Sequence, residues 1–368
     1  MRKKHLKSNK KITVGLICGG LSGEHEVSLI SAHNIQAALD REKYDVLLIG
    51  IDKDGDWFLG KSAEFLENVD DVSQVKFSKN FPTLLPETGR PGLKNSTKDH
   101  SGNELAKVDV FFPITHGKLG EDGALQGLLE LLGKPYVGAD VYGSSICMDK
   151  DVTKRLMIQR GVPVASYKLL RNPDELTFAE AVQKLGETIF VKPCREGSSL
   201  GVSKVQTKNE YTQALEKAFA VDSKVIVEEA ICGREIECSV LGNDSPEAAT
   251  VLGEIVPIGE FYSYEAKYVE EDGAKLVIPA EIDPDVSTQI RDTAVEAFIH
   301  TECRSMARVD FFLLEDNSFI LNEINTLPGF TKISMYPKLW DASGLAYSEL
   351  LGRLITLALE KTNFPWKN

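Results

Sequence analysis

The sequence has no apolar run long enough to cross a membrane and no excess of positive charge. A membrane-spanning helix needs about 20 consecutive apolar residues, and no run among the 368 residues approaches that length. The 55 acidic and 42 basic residues give a net charge of −13, which opposes non-specific binding to nucleic acid or to anionic lipid. We therefore expect neither nucleic acid nor a membrane among its partners.

Cysteine and histidine are scarce and scattered. The six cysteines form no CxxC pair and the six histidines show no HxxxH spacing, so the sequence does not predict a zinc site. Scattered cysteines are typical of reduced thiols, and we predict a cytoplasmic protein. Hydrophobic residues at 42% and charged residues at 26% are the balance of an ordinary globular protein, which excludes wholesale disorder.

The length and the order of the predicted elements indicate several domains. A basic, disordered tail is predicted for residues 1–11, and strands then alternate with helices as far as residue 142, which predicts an open parallel α/β sheet. Two mixed α+β units are predicted to follow, over 143–232 and 233–368. The second contains a polar loop, 259–276, with glycines near its ends. The predicted fold class is thus α/β, with an open parallel N-terminal domain followed by a two-part α+β fold.

A β-hairpin is predicted from ARVDFFLLEDNSFILNEIN, where two apolar runs are joined at 316–317. A two-residue loop there places Asp310 opposite Glu323 and Arg308 opposite Asn325, with all four side chains on one face. Toward the turn, this face is predicted to continue through four apolar residues, Phe312, Leu314, Phe319 and Leu321.

The facing carboxylates of this hairpin suggest a metal site. Two carboxylates directly opposite each other repel, and a divalent cation removes the repulsion. Clustered carboxylate and amide oxygens suit Mg²⁺ or Mn²⁺ better than zinc, so Asp310, Glu323 and Asn325 are predicted ligands. The alternative is that Arg308 neutralises the acids in a buried ion-pair network.

A glycine-containing loop lies in FVKPCREGSSLGVSKV, which predicts strand, turn and strand. Gly197, Ser198, Ser199 and Gly201 offer backbone N–H groups and hydroxyls that suit phosphate oxygens, and Lys192 can add a point charge. The loop is not a GxxxxGK[ST] motif, and a plain β-turn is the other interpretation. The phosphate-binding interpretation is favoured because the predicted metal site follows in the same half of the chain.

Two strand-to-helix turns and one helix carry further candidates. GGLSGEHE lacks the GxGxxG spacing of a dinucleotide site, which argues against a dinucleotide-dependent oxidoreductase. In it, Glu24 and Glu26 either balance a helix dipole or supply a carboxylate that receives a substrate ammonium group. In THGKLGEDG, His116 is the only group that would titrate near neutral pH. Lys150, in a predicted helix, is on local grounds either a functional or a surface lysine.

Six motifs in order extend from about Lys11 to the final helix: GGLSGEHEVSLISA, HGKLGEDGALQGLLELLGKPYVG, MDKDVTKRL, VKPCREGSSLGVSKV, FYSYEAKY and ARVDFFL…LNEINTLPGFTKISMYP. Together they resemble the bacterial D-alanine–D-alanine ligase family of the ATP-grasp superfamily. The resemblance implies a pre-ATP-grasp N-terminal domain and an ATP-grasp fold, with ATP between the central and C-terminal units. The substrates implied are D-alanine and ATP, and we expect a homodimer.

The resemblance also implies an ATP site. Its residues would be Lys150, Lys192, Glu196, Ser199, Glu228, Glu229, Ile231, Glu235 and Lys267. In this set Lys150 and Lys192 bind phosphate, 196–201 forms a flap, 228–231 forms the adenine hinge and Glu235 faces the ribose. Asp310, Glu323 and Asn325 match a site for two magnesium ions, in agreement with the hairpin.

The substrate site is implied in the same way. Glu24 would hold the ammonium group of the first D-alanine, with Ser198 and Tyr268 as partners in a network that orders the loop 259–276. Lys267 would point at the γ-phosphate. The reacting carboxylate would be surrounded by His116, Arg308 and the backbone N–H of Gly329. The carboxylate of the second D-alanine would be bound at Ser334 and Met335.

The sequence departs from the family pattern at Lys118, Glu229 and Met335, where Arg, Lys and Leu are common. Two alternatives stay open. A D-alanine–D-lactate ligase is the nearer one, and Tyr268 argues against it. A non-catalytic nucleotide-binding ATP-grasp module is the other, and the intact set of Arg308 with the three metal ligands argues against that. The sequence shows no obvious general base.

Overall fold

In the part of the chain that the structure describes, three β-sheets of four or more strands follow one another. The protein is described by a computed structural model that covers residues 10–60, 65–78, 105–257 and 274–360. Each of the three sheets lies inside one of the ranges 12–142, 143–232 and 233–368. The division into those domains stays a prediction.

The first sheet has the strand order β3-β2-β1-β6. The strands of this part of the chain are β1 Ile12–Gly19, β2 Tyr44–Ile51, β3 Trp57–Gly60, the short pair β4 Leu66–Glu67 and β5 Lys76–Phe77, and β6 Val110–Pro113. β1 runs parallel to β2 and β6, whereas β3 is an antiparallel edge. Parallel strands are buried on both sides, which explains their near-continuous apolar runs. Among the described residues of this part there are two helices: α1 His25–Ala38 comes after β1, and α2 Ala124–Leu131 comes after β6.

The second sheet, β7-β10-β8-β9, is antiparallel. Its strands are β7 Tyr167–Leu170, β8 Ile189–Pro193, β9 Ser203–Val205 and β10 Val225–Glu229. Four helices belong to this part, α3 Val141–Met148, α4 Lys150–Gln159, α5 Phe178–Leu185 and α6 Lys208–Phe219. Among these strands the sequence predicts a single helix, over 209–220, which corresponds to α6, and it does not predict α5. Both helices begin with a Thr-x-x-Glu capping box, at Thr177 and at Thr207, so the missed helix carried a readable signal.

The third sheet has the order β14-β13-β11-β15-β16, with β12 added beside β11. Its strands are β11 Arg234–Gly242, β12 Glu247–Ala248, β13 Gly253–Pro257, β14 Ala274–Val277, β15 Ser305–Leu313 and β16 Phe319–Asn325. The helices are α7 Pro284–His300, α8 Met335–Ala342 and α9 Tyr347–Glu360. The predicted loop 259–276 is too long at its end, because residues from Ala274 pair with β13. Residues 258–273 lie outside the described residues.

The hairpin of β15 and β16 has the predicted pairs at its acidic end, but not the predicted turn. Asp310 lies opposite Glu323 and Arg308 opposite Asn325. The loop is longer than two residues, because Leu314 N–H donates to Ser318 O at 2.8 Å and leaves 315–317 between them. A β-bulge next to Asp310 takes up one residue in β16 and restores the predicted pairing beyond it.

The bulge also corrects the predicted faces near the turn. Phe311 pairs with Leu321 and packs edge-on against Phe319, with ring centroids 5.8 Å apart. Phe319 and Leu321 therefore share the face of Phe311, in the core of the third sheet, and not the face of Phe312. An extra residue in one strand changes which side chains face the core beyond it.

A shared apolar core joins the first and third parts of the chain. Val14 of β1 and Phe112 of β6 belong to one buried cluster with Met306 of β15 and Leu354 of α9. The last helix thus packs on both parts, and the ends of β1 and β6 are held close to the third sheet. Among the described residues, no helix has both the length and the apolar character that crossing a bilayer requires.

Candidate active site

A cleft with an empty volume of about 700 Å³ is lined by residues from all three parts of the chain. The residues implied by the sequence that line it are Glu24, His116, Lys150, Glu196, Ser198, Arg308, Glu323, Asn325 and Gly329. Glu24 follows β1 and His116 follows β6, which are adjacent parallel strands. Their carboxyl ends meet at one edge of the sheet, where ligands of open α/β sheets bind.

The predicted metal ligands lie together at the open end of the hairpin. Arg308 donates two hydrogen bonds to Asp310, at 2.8 and 2.7 Å, and Asn325 Nδ2 donates to the same carboxylate at 3.0 Å. Arg308 Nε is also 3.1 Å from Oε2 of Glu237, which lies on the neighbouring strand β11. The ion-pair network that the sequence offered as an alternative is therefore present, with the carboxylates of Asp310 and Glu237 bound to one guanidinium.

This group also fits a divalent cation. Asp310, Glu323 and Asn325 supply carboxylate and amide oxygens on neighbouring strands, the donors that Mg²⁺ and Mn²⁺ prefer. Arg308 has to be shared between Asp310 and Glu237, so it offsets only part of their negative charge. Glu323 is 3.7 Å from the Lys150 ammonium group, which brings the predicted metal site next to a predicted phosphate lysine.

The glycine loop lies over the same cleft. The Lys150 ammonium group donates to the Glu196 carbonyl at 2.7 Å and so holds the start of the loop. Ser198 and Ser199 have φ values of 49° and 59°. Two consecutive non-glycine residues in the left-handed region cost free energy, and strain of this kind concentrates at functional sites. Residues 197–200 form a β-turn, in which Leu200 N–H donates to the Gly197 carbonyl at 3.0 Å, and positive φ at both central residues is typical of one turn type. The β-turn interpretation therefore describes the local backbone, and the contact with Lys150 is what connects this turn with the cleft.

Lys192, the other predicted phosphate lysine, forms an ion pair with Glu228. Lys154 contacts the same carboxylate at 3.1 Å, and both Lys154 and Glu228 are buried. Burial opposes ionisation of Glu228, but the two lysine charges outweigh it and lower its pKa to about 2. Burial also lowers the pKa of Lys154. The sequence reading missed Lys154, which lies on α4 one turn after Lys150.

The predicted adenine hinge is the segment that leaves β10. The Glu229 carboxylate accepts a hydrogen bond from Ser166 N–H at 2.7 Å, so its side chain is used within the protein. Ile231 and Glu235 follow, the latter on β11 opposite Phe312. Glu228, Glu229, Ile231 and Glu235 do not line the cleft described above.

Glu24 and an unpredicted acid, Glu121, approach the glycine loop from the first part of the chain. A Cβ atom on Gly197 would lie 3.4 Å from Glu24 Oε2 and 3.9 Å from Glu121 Oε1. Glu121 accepts from Gly117 N–H at 3.0 Å. Its pKa is raised to about 8, first by burial and then by the charge of Glu24. In the sequence, Glu121 is only one of the acids in a turn, and nothing there predicts its raised pKa.

His116 is buried, with 5% exposure, and its ring is held in one orientation. Nδ1 lies 3.0 Å from the carbonyl oxygen of Leu327. Among the described residues, Nε2 has no hydrogen-bond partner. Burial lowers the pKa of His116, although the negative charge of Glu24 acts in the opposite direction.

Gly329 and Ser334 lie close together before α8. A Cβ atom on Gly329 would lie 2.8 Å from Ser334 Oγ, so a larger residue there would displace the Ser334 hydroxyl. Ser334 Oγ accepts from Thr331 N–H at 2.9 Å. Met335, the first residue of α8, is 3% exposed and packs in the core, so its side chain does not face a ligand. Tyr268 and Lys267 lie outside the described residues.

Comparisons with known proteins agree over nearly the whole chain. The family model described as D-ala D-ala ligase N-terminus matches residues 13–139, and the one described as D-ala D-ala ligase C-terminus matches residues 156–356. The chain is 51% identical to D-alanine--D-alanine ligase A of Escherichia coli K12, over 96% of this chain and 97% of that protein. It is 49% identical to D-alanine--D-alanine ligase of Shouchella clausii, over 95% of each.

Solved structures confirm the predicted fold class. The D-alanine-D-alanine ligase from Coxiella burnetii is 37% identical, with a TM-score of 0.75 and 96% of both chains covered. VanG D-Ala:D-Ser ligase from Enterococcus faecalis is 34% identical, with a TM-score of 0.77 over 95% of this chain and 100% of that one. By its sequence and its fold, the chain belongs to the D-alanine–D-alanine ligase family.

Proposed function

We propose that the protein joins two D-alanine molecules into D-alanyl-D-alanine, with release of ADP and phosphate, to supply peptidoglycan precursors. The observation that carries this proposal is one cleft lined by an acid suited to an ammonium group, a phosphate-type loop with a lysine, and the acidic hairpin. The 49–51% identity to ligases of this name supports it.

The chemistry requires that a carboxylate first becomes an electrophile. ATP converts the carboxylate of the first D-alanine to an acyl phosphate, and the amine of the second then attacks the acyl carbon. Lys150, Lys192 and the loop from Glu196 to Ser199 would bind the phosphates, where positive charge and oriented N–H groups stabilise the transferring phosphoryl group. Lys192 would then exchange Glu228 for a phosphate oxygen.

The base and the ribose of ATP would lie beside β10 and β11. We assign the adenine side to Glu228, Glu229 and Ile231 and the ribose side to Glu235. Because the Glu229 carboxylate is bonded to Ser166 N–H, its contribution to adenine binding would be through the backbone. The departure from Lys at this position then has little effect on nucleotide binding.

We assign Asp310, Glu323 and Asn325 to a site for two magnesium ions, with manganese as the substitute. When bound, the ions neutralise negative charge on the ATP phosphates. Arg308, which bridges Asp310 and Glu237, would turn part of its guanidinium toward the reacting carboxylate. Together with the Gly329 N–H it would stabilise the oxyanion that forms on amine attack, an effect typically worth about 10²–10³ in rate for each donor.

The two D-alanine molecules would bind at opposite sides of the reacting carbon. Glu24 is proposed to hold the ammonium group of the first, with Ser198 and Tyr268 completing a network that orders the loop 259–276 and directs Lys267 at the γ-phosphate. The second would place its carboxylate at Ser334 and the N-terminus of α8. Backbone N–H groups there suit an anion, which explains how Met335 contributes although its side chain is in the core.

We further propose that the protein works in the cytoplasm as a homodimer. The six cysteines are free in the structure, as expected for a reducing compartment. The sedimentation velocity of the purified protein tests the homodimer directly, since it distinguishes a species of 40.6 kDa from one of twice that mass.

Product analysis tests the proposed activity. The protein is incubated with ATP, Mg²⁺ and single D-amino acids or pairs of them, and phosphate and coupled products are measured. We expect phosphate release with D-alanine alone, in equal amount to D-alanyl-D-alanine. A reaction that depends on NAD, or no turnover with any acceptor, would contradict the proposal.

The same panel separates the related acceptors. D-serine is offered together with D-alanine because a structural relative is a D-Ala:D-Ser ligase. D-lactate is offered because a D-alanine–D-lactate ligase is the nearer alternative left open by the sequence. We expect the D-alanine dipeptide to dominate near neutral pH. A predominant D-alanyl-D-lactate or D-alanyl-D-serine product would assign the protein to the corresponding alternative.

A further inference from the structure

The orientation of His116 determines which of its nitrogens can accept a hydrogen bond. The Leu327 carbonyl oxygen, 3.0 Å from Nδ1, can only accept, so Nδ1 carries the proton. In the neutral ring Nε2 is then a lone-pair acceptor. It is buried in a residue that lines the cleft, and none of the described residues bonds to it. A buried acceptor without a partner is energetically unfavourable, so a donor from a ligand would stabilise it.

This acceptor does not suit the role that the sequence implied. The oxygens of the reacting carboxylate and of the phosphates are acceptors too, and two acceptors facing each other repel. Arg308 and the Gly329 N–H supply donors in the same cleft. The charged groups that act most strongly on His116 are Glu24 and Arg308. Glu24 is already assigned to the ammonium group of the first D-alanine, which leaves the N–H of the second as the donor for Nε2.

We propose that His116 is a catalytic base for the proposed ligation, with Nε2 accepting a proton from the attacking nitrogen of the second D-alanine. The inference rests on the proposed function and adds the general base that sequence reasoning did not find. Leu327 is the positioning residue, because its carbonyl fixes the tautomer.

The second D-alanine enters as the neutral amine, its ammonium proton having been lost to solvent. The nitrogen forms a bond to the acyl carbon, and the C–O bond to the phosphoryl group breaks, so that phosphate leaves with its electron pair. The nitrogen becomes strongly acidic once it is bonded to carbon, and Nε2 takes the proton then. A base with a pKa below the usual histidine range is suited to this late transfer, and it passes the proton to solvent before the next turnover.

Two substitutions of His116 distinguish the role of Nδ1 as a donor from the role of Nε2 as an acceptor. His116→Asn keeps a donor near the position of Nδ1 for the Leu327 carbonyl and removes the acceptor. His116→Gln places an amide oxygen near the position of Nε2 and keeps an acceptor that is not basic. His25→Asn is the matched control. His25 is also 5% exposed and also places Nδ1 near a carbonyl, that of Gly20 at 2.8 Å, but it does not line the cleft.

The measurement compares two acceptors for the same acyl phosphate. With ATP, Mg²⁺ and D-alanine, each variant makes D-alanyl-D-alanine or, when hydroxylamine is added, D-alanine hydroxamate. Hydroxylamine is neutral near pH 7 and its adduct loses a proton readily, so it needs no positioned base. We expect His116→Asn and His116→Gln to lower dipeptide synthesis by about 10²–10⁴-fold. Hydroxamate formation should stay within about tenfold of wild type, and His25→Asn should keep the wild-type product ratio.

The outcomes are distinguishable. If both products fall by the same factor, His116 acts before or during acyl phosphate formation and the proposal is wrong. If dipeptide synthesis is unchanged, His116 has no catalytic role and the proposal is also wrong. Thermal unfolding of each variant shows whether it is folded, and either substitution alone supports or overturns the inference. A wild-type protein that makes neither product would overturn the proposed function itself, and the inference with it.

Discussion

At the scale of single residues, the acids predicted for the active site differ in what balances their charge. Asp310 is bonded by Arg308, Glu228 lies between two lysines, and Glu323 has Lys150 at 3.7 Å. The distances predict different consequences of substitution. Glu228 belongs to a buried network, whereas Glu323 retains side-chain exposure of 31% and contributes mainly charge to the cleft.

Glu323→Gln is expected to abolish turnover without unfolding the protein. The change removes a carboxylate oxygen from the predicted metal site and keeps the volume of the side chain. We expect activity to fall by on the order of 100-fold or more, and stability to change by about 1 kcal/mol or less. Phosphate release over a Mg²⁺ titration and urea unfolding measure the two effects.

The control is Glu315→Gln, an exposed acid in the turn of the same hairpin, which should leave both quantities unchanged. Full activity of Glu323→Gln at limiting Mg²⁺ would remove Glu323 from the metal site.

Glu228 is expected to make the protein sensitive to acid. Its pKa lies at about 2 instead of the ordinary 4.5, so its contribution to stability is present above about pH 4.5 and is lost as the pH falls toward 2. The shift corresponds to about 3 kcal/mol. Urea unfolding at a series of pH values should show a weaker acid dependence for Glu228→Gln than for wild type.

Leu170→Ala is the control for this measurement, because it truncates a buried side chain in the same sheet. It should lower stability at every pH without changing the slope in acid. An acid slope of Glu228→Gln equal to that of wild type would show that Glu228 is not held ionised.

At the scale of elements, the acidic hairpin shows both the reach and the limit of sequence reasoning. Alternation along each strand was enough to predict that Asp310 and Glu323 face each other, and the structure confirms it. The turn and the bulge were not predictable from the sequence. The loop is one residue longer than predicted and the bulge adds one residue to β16, so the two shifts in register cancel at the acidic end. The predicted and observed faces differ only between the turn and the bulge, where Phe319 and Leu321 lie.

The site was predictable where a residue's chemistry is local and unpredictable where it depends on partners. Glu24 stands in a strand-to-helix turn and the glycine loop is a recognisable turn, whereas Lys150, at the start of α4, was assigned only through the resemblance. Lys154 is buried beside Glu228, 74 positions away, and Glu121 acts together with Glu24, 97 positions away. No spacing rule connects such distant residues, so their pairing requires the fold.

The turn of the hairpin is expected to tolerate only particular residues at Asn317. Its φ is 66°, a left-handed conformation that a β-branched residue adopts at a cost of about 1–2 kcal/mol. We expect Asn317→Val to lower the free energy of unfolding by that amount and Asn317→Gly to leave it nearly unchanged.

Urea denaturation of the two variants and wild type measures the difference. The turn is at the far end of the hairpin from Asp310, so the folded variants should retain wild-type turnover. Equal stability of the valine and glycine variants would contradict the assigned turn geometry.

At the scale of the whole molecule, one core connects the parts that carry the two sides of the cleft. Val14 and Leu354 share it, although they are at opposite ends of the chain. The cleft is therefore bordered by elements held together by apolar packing, and we assign its opening and closing to the predicted polar loop 259–276.

That loop is expected to close when both substrates are present. Limited proteolysis within 259–276 should slow with ATP and D-alanine together, because a closed lid protects its backbone from a protease. ATP alone should protect less. Cleavage within 79–104, a polar segment with no predicted role in the cleft, serves as the internal reference and should be unaffected. Unchanged cleavage of 259–276 would argue against lid closure.

The central claim is that the cleft activates a carboxylate by transfer of a phosphoryl group. Its most direct test uses D-alanine labelled with ¹⁸O in the carboxylate, turned over with unlabelled ATP and Mg²⁺. An acyl phosphate intermediate transfers one carboxylate oxygen to the phosphate that leaves. Mass spectrometry of the released phosphate should therefore find one ¹⁸O atom for each D-alanyl-D-alanine formed. Phosphate without label, released together with dipeptide, would contradict the account.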